Sequence, residues 1–253
     1  MDKDFEQLYH SVEKDHWWFR ARRETIISLL SKLPKQSRIL DIGCSSGILL
    51  GEIKELGFDI ENLYGIDISE KAIQNCKANG IQHSFLMDAE HINLNNKFDV
   101  IISSDCLEHL QDDEKALHNW FDILNEGGIA IIFVPAFSLL WSHHDVVNKH
   151  RKRYTRSELV KLLKNNNFKI VKSGYWNFFL FFPTLLWRLF DTLFSKFKQE
   201  EVKNKSGNIF FPPQFINKLL ILILRFETRI IQRIRFPLGV SVFAIGSKQY
   251  ENK

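Results

Sequence analysis

The residue types best suited to chemistry fall in Arg38-Ile39-Leu40-Asp41-Ile42-Gly43-Cys44-Ser45-Ser46-Gly47. Ile39, Leu40 and Ile42 read as a short buried strand, and Asp41 with the glycines and serines reads as a tight polar turn. Ile48 to Ile53 continues as the start of a helix. Strand, glycine loop and helix start form a cradle, because glycine admits a close ligand and the first helical N–H groups lack partners. The spacing D-x-G-x-x-x-G departs from the dinucleotide pattern G-x-G-x-x-G, since Ser45 stands where the second glycine would approach a pyrophosphate. Asp41 would also repel a phosphate. An acid there suits a cationic or hydroxyl-bearing ligand instead.

Further acids follow at strand ends. Asp67 closes the run Asn62–Ser69, about twenty residues past the glycine loop, where an acid can accept bonds from both hydroxyls of a ribose. Asp88 and Ala89 follow the run Ile81–Leu86. Phe98–Ser104 reads as a fourth strand and leads into Asp105-Cys106-Leu107-Glu108-His109, a two-carboxylate, one-imidazole pattern. Ile129–Pro135 reads as a fifth strand. After it come His143, His144, Asp145 and His150, imidazoles able to take a proton near neutral pH.

Alternating strands and helices must position these groups, which predicts a doubly wound, mostly parallel α/β sheet. Phe5–Leu33 reads as one or two helices. Its Trp17-Trp18-Phe19 cannot share one helix face, so part of it must contact something beyond the local core. Thr155 and Glu158 form a capping box ahead of a helix ending at Asn165. Phe168–Tyr175 and Gly239–Gly246 read as the last strands. The intervening stretch of about sixty residues holds an aromatic segment from Trp176 to Phe190, a charged stretch from Ser195 to Asn208 read as a mobile loop, and a basic, Leu/Ile-rich helix over Phe215–Arg235. Pro183, Arg188 and Asp191 interrupt the aromatic segment, so no spanning helix is expected. An extra apolar layer, a dimer interface and a membrane-surface anchor all remain open for this insertion.

The chain has 253 residues, net charge +4, 45% hydrophobic residues, 22 phenylalanines and three widely spaced cysteines. The cysteines fit no zinc or disulfide pattern and suggest a reducing compartment. The charge is too small and dispersed to argue for a nucleic-acid partner. Met1–Arg23 is charged throughout, so no signal peptide is expected, and the expected location is cytoplasmic, with peripheral contact on the inner face of a membrane as an extension.

At the glycine loop the chain resembles the class I S-adenosylmethionine (SAM)-dependent methyltransferases, whose first motif is commonly D-x-G-x-G-x-G; the central glycine is Ser45 here, which would narrow the methionine end of the pocket. The specific motifs cover about Arg38–Phe133. The resemblance implies a seven-stranded Rossmann-like sheet and SAM as cofactor, held by Asp41, Gly43, Cys44, Gly47, Asp67, Ile68, Asp88, Ala89 and Asp105. Asp88 would accept the adenine amino group and Ala89 would supply a backbone N–H. The opening His16-Trp17-Trp18-Phe19-x-x-Arg22-Arg23 is similar to that of one subgroup and implies a lid over the cofactor, with Trp18 and Arg22 contributing. His150-Arg151-x-Arg153-Tyr154 resembles an H-x-R-R-Y signature of that subgroup, with some of these residues expected to bind an anionic substrate group.

The expected organisation is a lid at 1–34, a SAM-binding domain at 35–175 and 239–250, and a hydrophobic helical insertion at 176–238. His109, His143, Asp145 and His150 are the candidates around the acceptor. The implied reaction is in-line transfer of the SAM methyl to a lipid-linked glycan, an isoprenoid or another amphipathic molecule. Two other readings stand beside it: a soluble small-molecule or quinone-type enzyme, and a non-catalytic cofactor-binding protein at a membrane. Quinone-pathway O-methyltransferases have a similar acidic-x-x-Glu-His arrangement associated with a divalent metal. No metal ligand is assigned here, because Leu-Glu-His-Leu is also widespread in enzymes without metal.

Overall fold

The computed structural model describes residues 3–195, 212–231 and 233–250. Two helices open the chain, α1 (Lys3–Val12) and α2 (Trp17–Leu30), with His16 accepting from the Trp18 N–H as the cap of α2. Strand β1 (Ile39–Ile42) follows, then α3 (Ile48–Glu55), β2 (Leu63–Asp67), α4 (Glu70–Ala78) and β3 (Ser84–Leu86). Next come β4 (Phe98–Ser104), α5 (Asp113–Ile123), β5 (Leu124–Pro135), the short α6 (His143–Val147) and α7 (Arg156–Asn165). The chain ends with β6 (Lys169–Trp176), α8 (Phe181–Ser195), α9 (Gln214–Ile231) and β7 (Ser241–Ser247).

The seven strands form one sheet in the order β3-β2-β1-β4-β5-β7-β6. Only β7 runs antiparallel, against both β5 and β6. All four residues of β1 are buried, as a central parallel strand covered on both faces requires. The strand order reverses between β2 and β4 on either side of β1, which opens the ligand crevice beyond the β1 and β4 carboxyl ends. The expected α/β architecture therefore holds. Its edges shift: β3 is shorter than the expected strand Ile81–Leu86, and β5 begins at Leu124, before the glycine pair.

Trp17, Trp18 and Phe19 point different ways. Trp18 meets Trp176 edge-on at 5.2 Å, Trp17 meets Trp18 at 5.7 Å, and Phe19 packs on Tyr9 of α1 at 4.6 Å. The insertion is built into the body. Helix α9 lies along α2, where the Thr25 and Thr228 hydroxyls are 2.7 Å apart and Arg225 donates to Glu24 at 2.6 Å. The Trp176 indole N–H also reaches the Thr25 hydroxyl, at 3.1 Å. Leu224 and Ile231 are buried on this face, each removing apolar surface equivalent to about 1.5–3 kcal/mol. The buried Glu227 carboxylate accepts the backbone N–H groups of Asn177, Phe178 and Phe179, closing the turn after β6. The stretch expected to be a mobile loop lies outside the described residues beyond Ser195. No helix among the described residues is long and apolar enough to cross a membrane.

Candidate functional site: a carboxylate-lined cavity under a helical lid

The loop after β1 turns because Gly43 and Gly47 take positive φ (78° and 72°). A Cβ on Gly47 would come within 2.5 Å of the Cys76 sulfur, so that position requires glycine twice over, by φ and by space. Ser45 takes φ +47° without being glycine. It is held there by its N–H, which donates to Asp67 at 3.0 Å, and by its hydroxyl, which donates to Glu13 at 3.0 Å and lies 3.3 Å from His10 Nδ1. The Ser46 hydroxyl sits 2.8 Å from the same His10 nitrogen. The end of α1 and the turn after it are thereby seated on the glycine loop.

Beneath this lid is a cavity of about 60 Å³, lined by Tyr9, Glu13, Phe19, Arg22, Asp41 and Ser45 among others. Small-molecule pockets run to roughly 300 Å³ and more, so the cavity in this state is smaller than a cofactor-sized ligand fills. A larger, shallow groove of about 430 Å³ lies on the outer face of α7 beside Arg156, Lys161 and Lys164, and includes none of the strand-end acids.

The cavity is lined by three acids, Glu13, Asp41 and Asp105, and by two arginines, Arg22 and Arg23. Burial, then the charges of Glu13 and Asp67, push the Asp41 carboxyl from 3.8 up to about 8. The two lining arginines are engaged elsewhere. Arg22 donates to Asp105 at 3.3 Å and to the Ser241 hydroxyl at 2.7 Å, with its guanidinium 4.3 Å from the Trp176 ring centre and 4.7 Å from that of Phe133. Arg23 donates to Glu52 at 3.0 Å and to the Glu13 carbonyl at 2.6 Å, fixing the turn between α1 and α2 to α3. A ligand that brings positive charge fits this cage. Both Asp67 oxygens accept backbone N–H groups, from Ser45 and Ser69, which aims the carboxylate. Ile68 beside it is 78% exposed, an apolar surface at the open end of the crevice. Asp88 accepts the Glu90 N–H at 2.9 Å at the next strand end, with Ala89 buried behind it.

Of the expected cofactor set, Asp41, Gly43, Cys44, Asp105 and Arg22 line the cavity, whereas Gly47, Asp67, Ile68, Asp88, Ala89 and Trp18 lie outside its lining. The Trp18 ring backs Arg22 at 5.3 Å instead. Asp105 lies at φ +54° at the cavity wall.

The acceptor candidates divide. Asp145 is fully buried, takes a two-point bond from Arg153 (2.8 and 3.1 Å), caps α6 through the Ser142 N–H, and lies 2.8 Å from His150 Nδ1. Burial raises its pKa, but the bonds from His150 and Arg153 outweigh that and hold it well below the usual carboxylate range. So engaged, Asp145 is a fixed anchor that orients His150. Arg153 is buried on Asp145 and the Ala136 carbonyl, and Tyr154 donates to Asp113, so neither presents itself to an anionic substrate. His143 is exposed on the first turn of α6.

Glu108 is buried, and neither carboxylate oxygen has a hydrogen-bond partner. Burial, then Asp105, push it well above the usual range. His150 Nε2 is 3.8 Å from it, and Glu108, His109 and His150 each offer one ligand atom within 4.8 Å of the others, so these three residues could hold a metal ion. Burial, then the neighbouring His150, lower His109 to about 4. Sequence reasoning missed Tyr9, Glu13 and Ser104 at the cavity, while Phe19 belongs to the expected lid motif. Only the proximity of Tyr9 and Glu13 to that motif hinted at them.

The 3-2-1-4-5-7-6 sheet, the glycine loop and the successive strand-end acids define a class I SAM-dependent methyltransferase. The chain belongs to the methyltransferase domain family, whose model matches residues 15–173. It is 28% identical over 159 residues to a tRNA (carboxymethyluridine(34)-5-O)-methyltransferase of Macaca fascicularis, covering 60% of this chain and 22% of that protein. It is 26% identical over 162 residues to a ubiquinone biosynthesis O-methyltransferase of Pelagibacter ubique, covering 57% of this chain and 66% of that one. Both matches thus span less than two thirds of the relative. A SAM-dependent methyltransferase of Thermotoga maritima shares the fold at TM-score 0.56 and 17% identity, over 97% of this chain and 98% of that one.

Proposed function

We propose that the chain transfers the SAM methyl to an oxygen of an amphipathic acceptor, such as a lipid-linked glycan or isoprenoid, presented at a membrane surface. The observation that carries this reading is the outer face of the insertion. On α8, Phe182, Leu186, Leu189 and Phe190 are 45–56% exposed, and on α9 Phe215, Leu219, Leu222 and Phe226 are 55–71% exposed. Each set falls on one helix face, and on α9 Lys218 and Arg229 flank the stripe opposite the buried Ile221, Leu224 and Ile231, while Arg225 beside them is paired with Glu24. Aromatic side chains beside basic ones suit an anionic lipid surface. The insertion also approaches the histidine cluster, with Arg188 of α8 3.9 Å from Asp145. The relative from ubiquinone biosynthesis is an O-methyltransferase, which supports oxygen as the acceptor atom.

SAM supplies a methyl already activated on a sulfonium, so the chain's work is positioning and proton removal. Asp41 and Asp67 orient the donor end. Arg22 holds Asp105 at the cavity wall, and His150, aligned by Asp145, takes the acceptor proton. Flotation with anionic and neutral vesicles, paired with labelled methyl transfer into lipid and aqueous extracts, tests the reading. Binding to anionic vesicles that is lost when Phe182, Phe215 and Phe226 become serine, with label in the lipid phase, supports it. Label confined to water-soluble acceptors overturns it.

A second reading, metal-assisted transfer, is favoured by the unpartnered Glu108 carboxylate beside His109 and His150. Chelator-sensitive turnover restored by a divalent cation supports it, and chelator-indifferent turnover excludes it.

A further inference from the structure

The lid brings a charge into the cofactor site. Glu13 closes the turn after α1, is 7% exposed, and lines the same cavity as Asp41. Its carboxylate is 3.0 Å from the Ser45 hydroxyl, and its main chain is gripped by Arg23, which α3 anchors through Glu52. It shares the cavity with Asp41 from β1, Asp105 after β4, Tyr9, Arg22 and Arg23, while His10 of α1 is 3.5 Å from its carboxylate and Asp67 of β2 adds its charge at Asp41. The turn after α1 therefore brings a further carboxylate to a cavity that already holds Asp41 and Asp105, with Asp67 acting on Asp41 from outside its lining. The cavity's arginines do not offset them, since Arg22 is bonded to Asp105 and Arg23 to Glu52.

We propose that Glu13 makes the lid a reader of cofactor charge: it closes favourably over cationic SAM and less favourably over S-adenosylhomocysteine, so that methyl transfer itself loosens the lid for product release. The charge change follows from the chemistry. An acceptor lone pair forms the new bond to the methyl carbon, the sulfur–methyl bonding pair returns to sulfur, and the acceptor proton passes to a base. The sulfonium charge is thereby lost, Asp41 takes a proton back from solvent, and the Glu13 carboxylate is left in the closed cavity without its counter-charge. Glu13 acts here as a positioning and specificity-determining residue.

The inference rests on SAM being the cofactor, which wild-type binding reports on its own. Calorimetry of the full chain with SAM, S-adenosylhomocysteine and sinefungin, which carries a cationic amine in place of the sulfonium, is run on wild type and Glu13→Gln. Hydrogen exchange of residues 8–16 is followed in the same samples. Glu13→Gln is expected to weaken SAM and sinefungin about tenfold, as for one partly buried charge pair, and S-adenosylhomocysteine by less than about threefold. In wild type, SAM and sinefungin should protect residues 8–16 more than S-adenosylhomocysteine does, and the variant should lose that difference. Equal weakening of all three ligands would make Glu13 only a prop for Ser45 and overturn the proposal, as would unchanged affinities. A wild type that binds none of the ligands would instead count against the cofactor assignment. Unaltered thermal melting of Glu13→Gln guards against loss of the fold.

Discussion

Replacing Asp41 by asparagine should make the ligand-free protein more stable, by an amount that grows with pH. Burial under the lid, with Glu13 and Asp67 nearby, raises this carboxyl from 3.8 to about 8. A group whose folded pKa lies above its unfolded value contributes its full stability below the unfolded value and loses it as pH rises through the folded one. Each pH unit in that window is worth about 1.4 kcal/mol, so the wild type should lose on the order of 4 kcal/mol from this group between pH 4 and pH 7. Asparagine does not titrate. Its melting temperature relative to wild type should therefore climb between pH 5 and pH 8, at about 2–4 °C per kcal/mol for a chain of this size. SAM should reverse the ranking, because a cation in the cage favours the ionised carboxylate. At pH 7 about 0.9 of a proton is then released on binding to wild type, from the fraction protonated at a pKa near 8. Melting curves from pH 5 to pH 8.5, with calorimetry of SAM binding in phosphate and in Tris, measure both quantities. A wild-type-to-variant difference that stays flat with pH, or a binding enthalpy independent of the buffer, would refute the anionic-cage reading.

Ser45→Gly should relieve about 1 kcal/mol of left-handed strain while removing the hydroxyl that holds Glu13 and His10; amide exchange in residues 8–16 should speed up while global melting stays near wild type. Glu227→Ala orphans the N–H groups of Asn177, Phe178 and Phe179, each worth about 1–3 kcal/mol when buried, and should lower the melting temperature by about 10 °C or more. Asp145→Asn strips the buried Arg153 and His150 of their anion, at a cost of about 3–5 kcal/mol. Because Asp145 is held below its ordinary range, its contribution is present above pH 4 and fades as pH falls, so the melting-temperature gap to wild type should narrow in acid. Methyl transfer by that variant should drop with SAM affinity unchanged, measured by calorimetry.

Legibility in the sequence followed the range of the interaction. The glycine loop could be read because a positive φ at Gly43 and Gly47 is a local demand, written in the residues themselves. The acids at the ends of β1, β2 and the stretch after β3 could be read because alternating strands and helices fix where each strand ends. Glu13 could not, since its meaning arises from Ser45, 32 residues away across a helix, a turn and a strand. Asp145 misled for the opposite reason. An acid among histidines resembles a proton acceptor, and only the fold shows Arg153 closing on it from eight residues along the chain. The partnership of α2 and α9 was equally hidden, because Thr25 meets Thr228 across 203 residues.

That last contact links the helix that lines the cavity to the insertion. Helix α2 carries Phe19 and Arg22 into the cavity on one side and rests on α9 through Thr25 and Glu24 on the other. Trp176 stands between them, under the Arg22 guanidinium and bonded to Thr25. A force applied to the outer face of α9 by a membrane or a lipid acceptor has a short packed route to Arg22, and from Arg22 to Asp105 at the cavity wall. On the proposed membrane reading, these contacts make α2 and α9 respond together. Lid exchange rates measured with vesicles but no acceptor, and with acceptor but no vesicles, should both differ from those of the free protein, and in the same residues of α2. A change confined to α9 would show that the two helices share a boundary without sharing a motion.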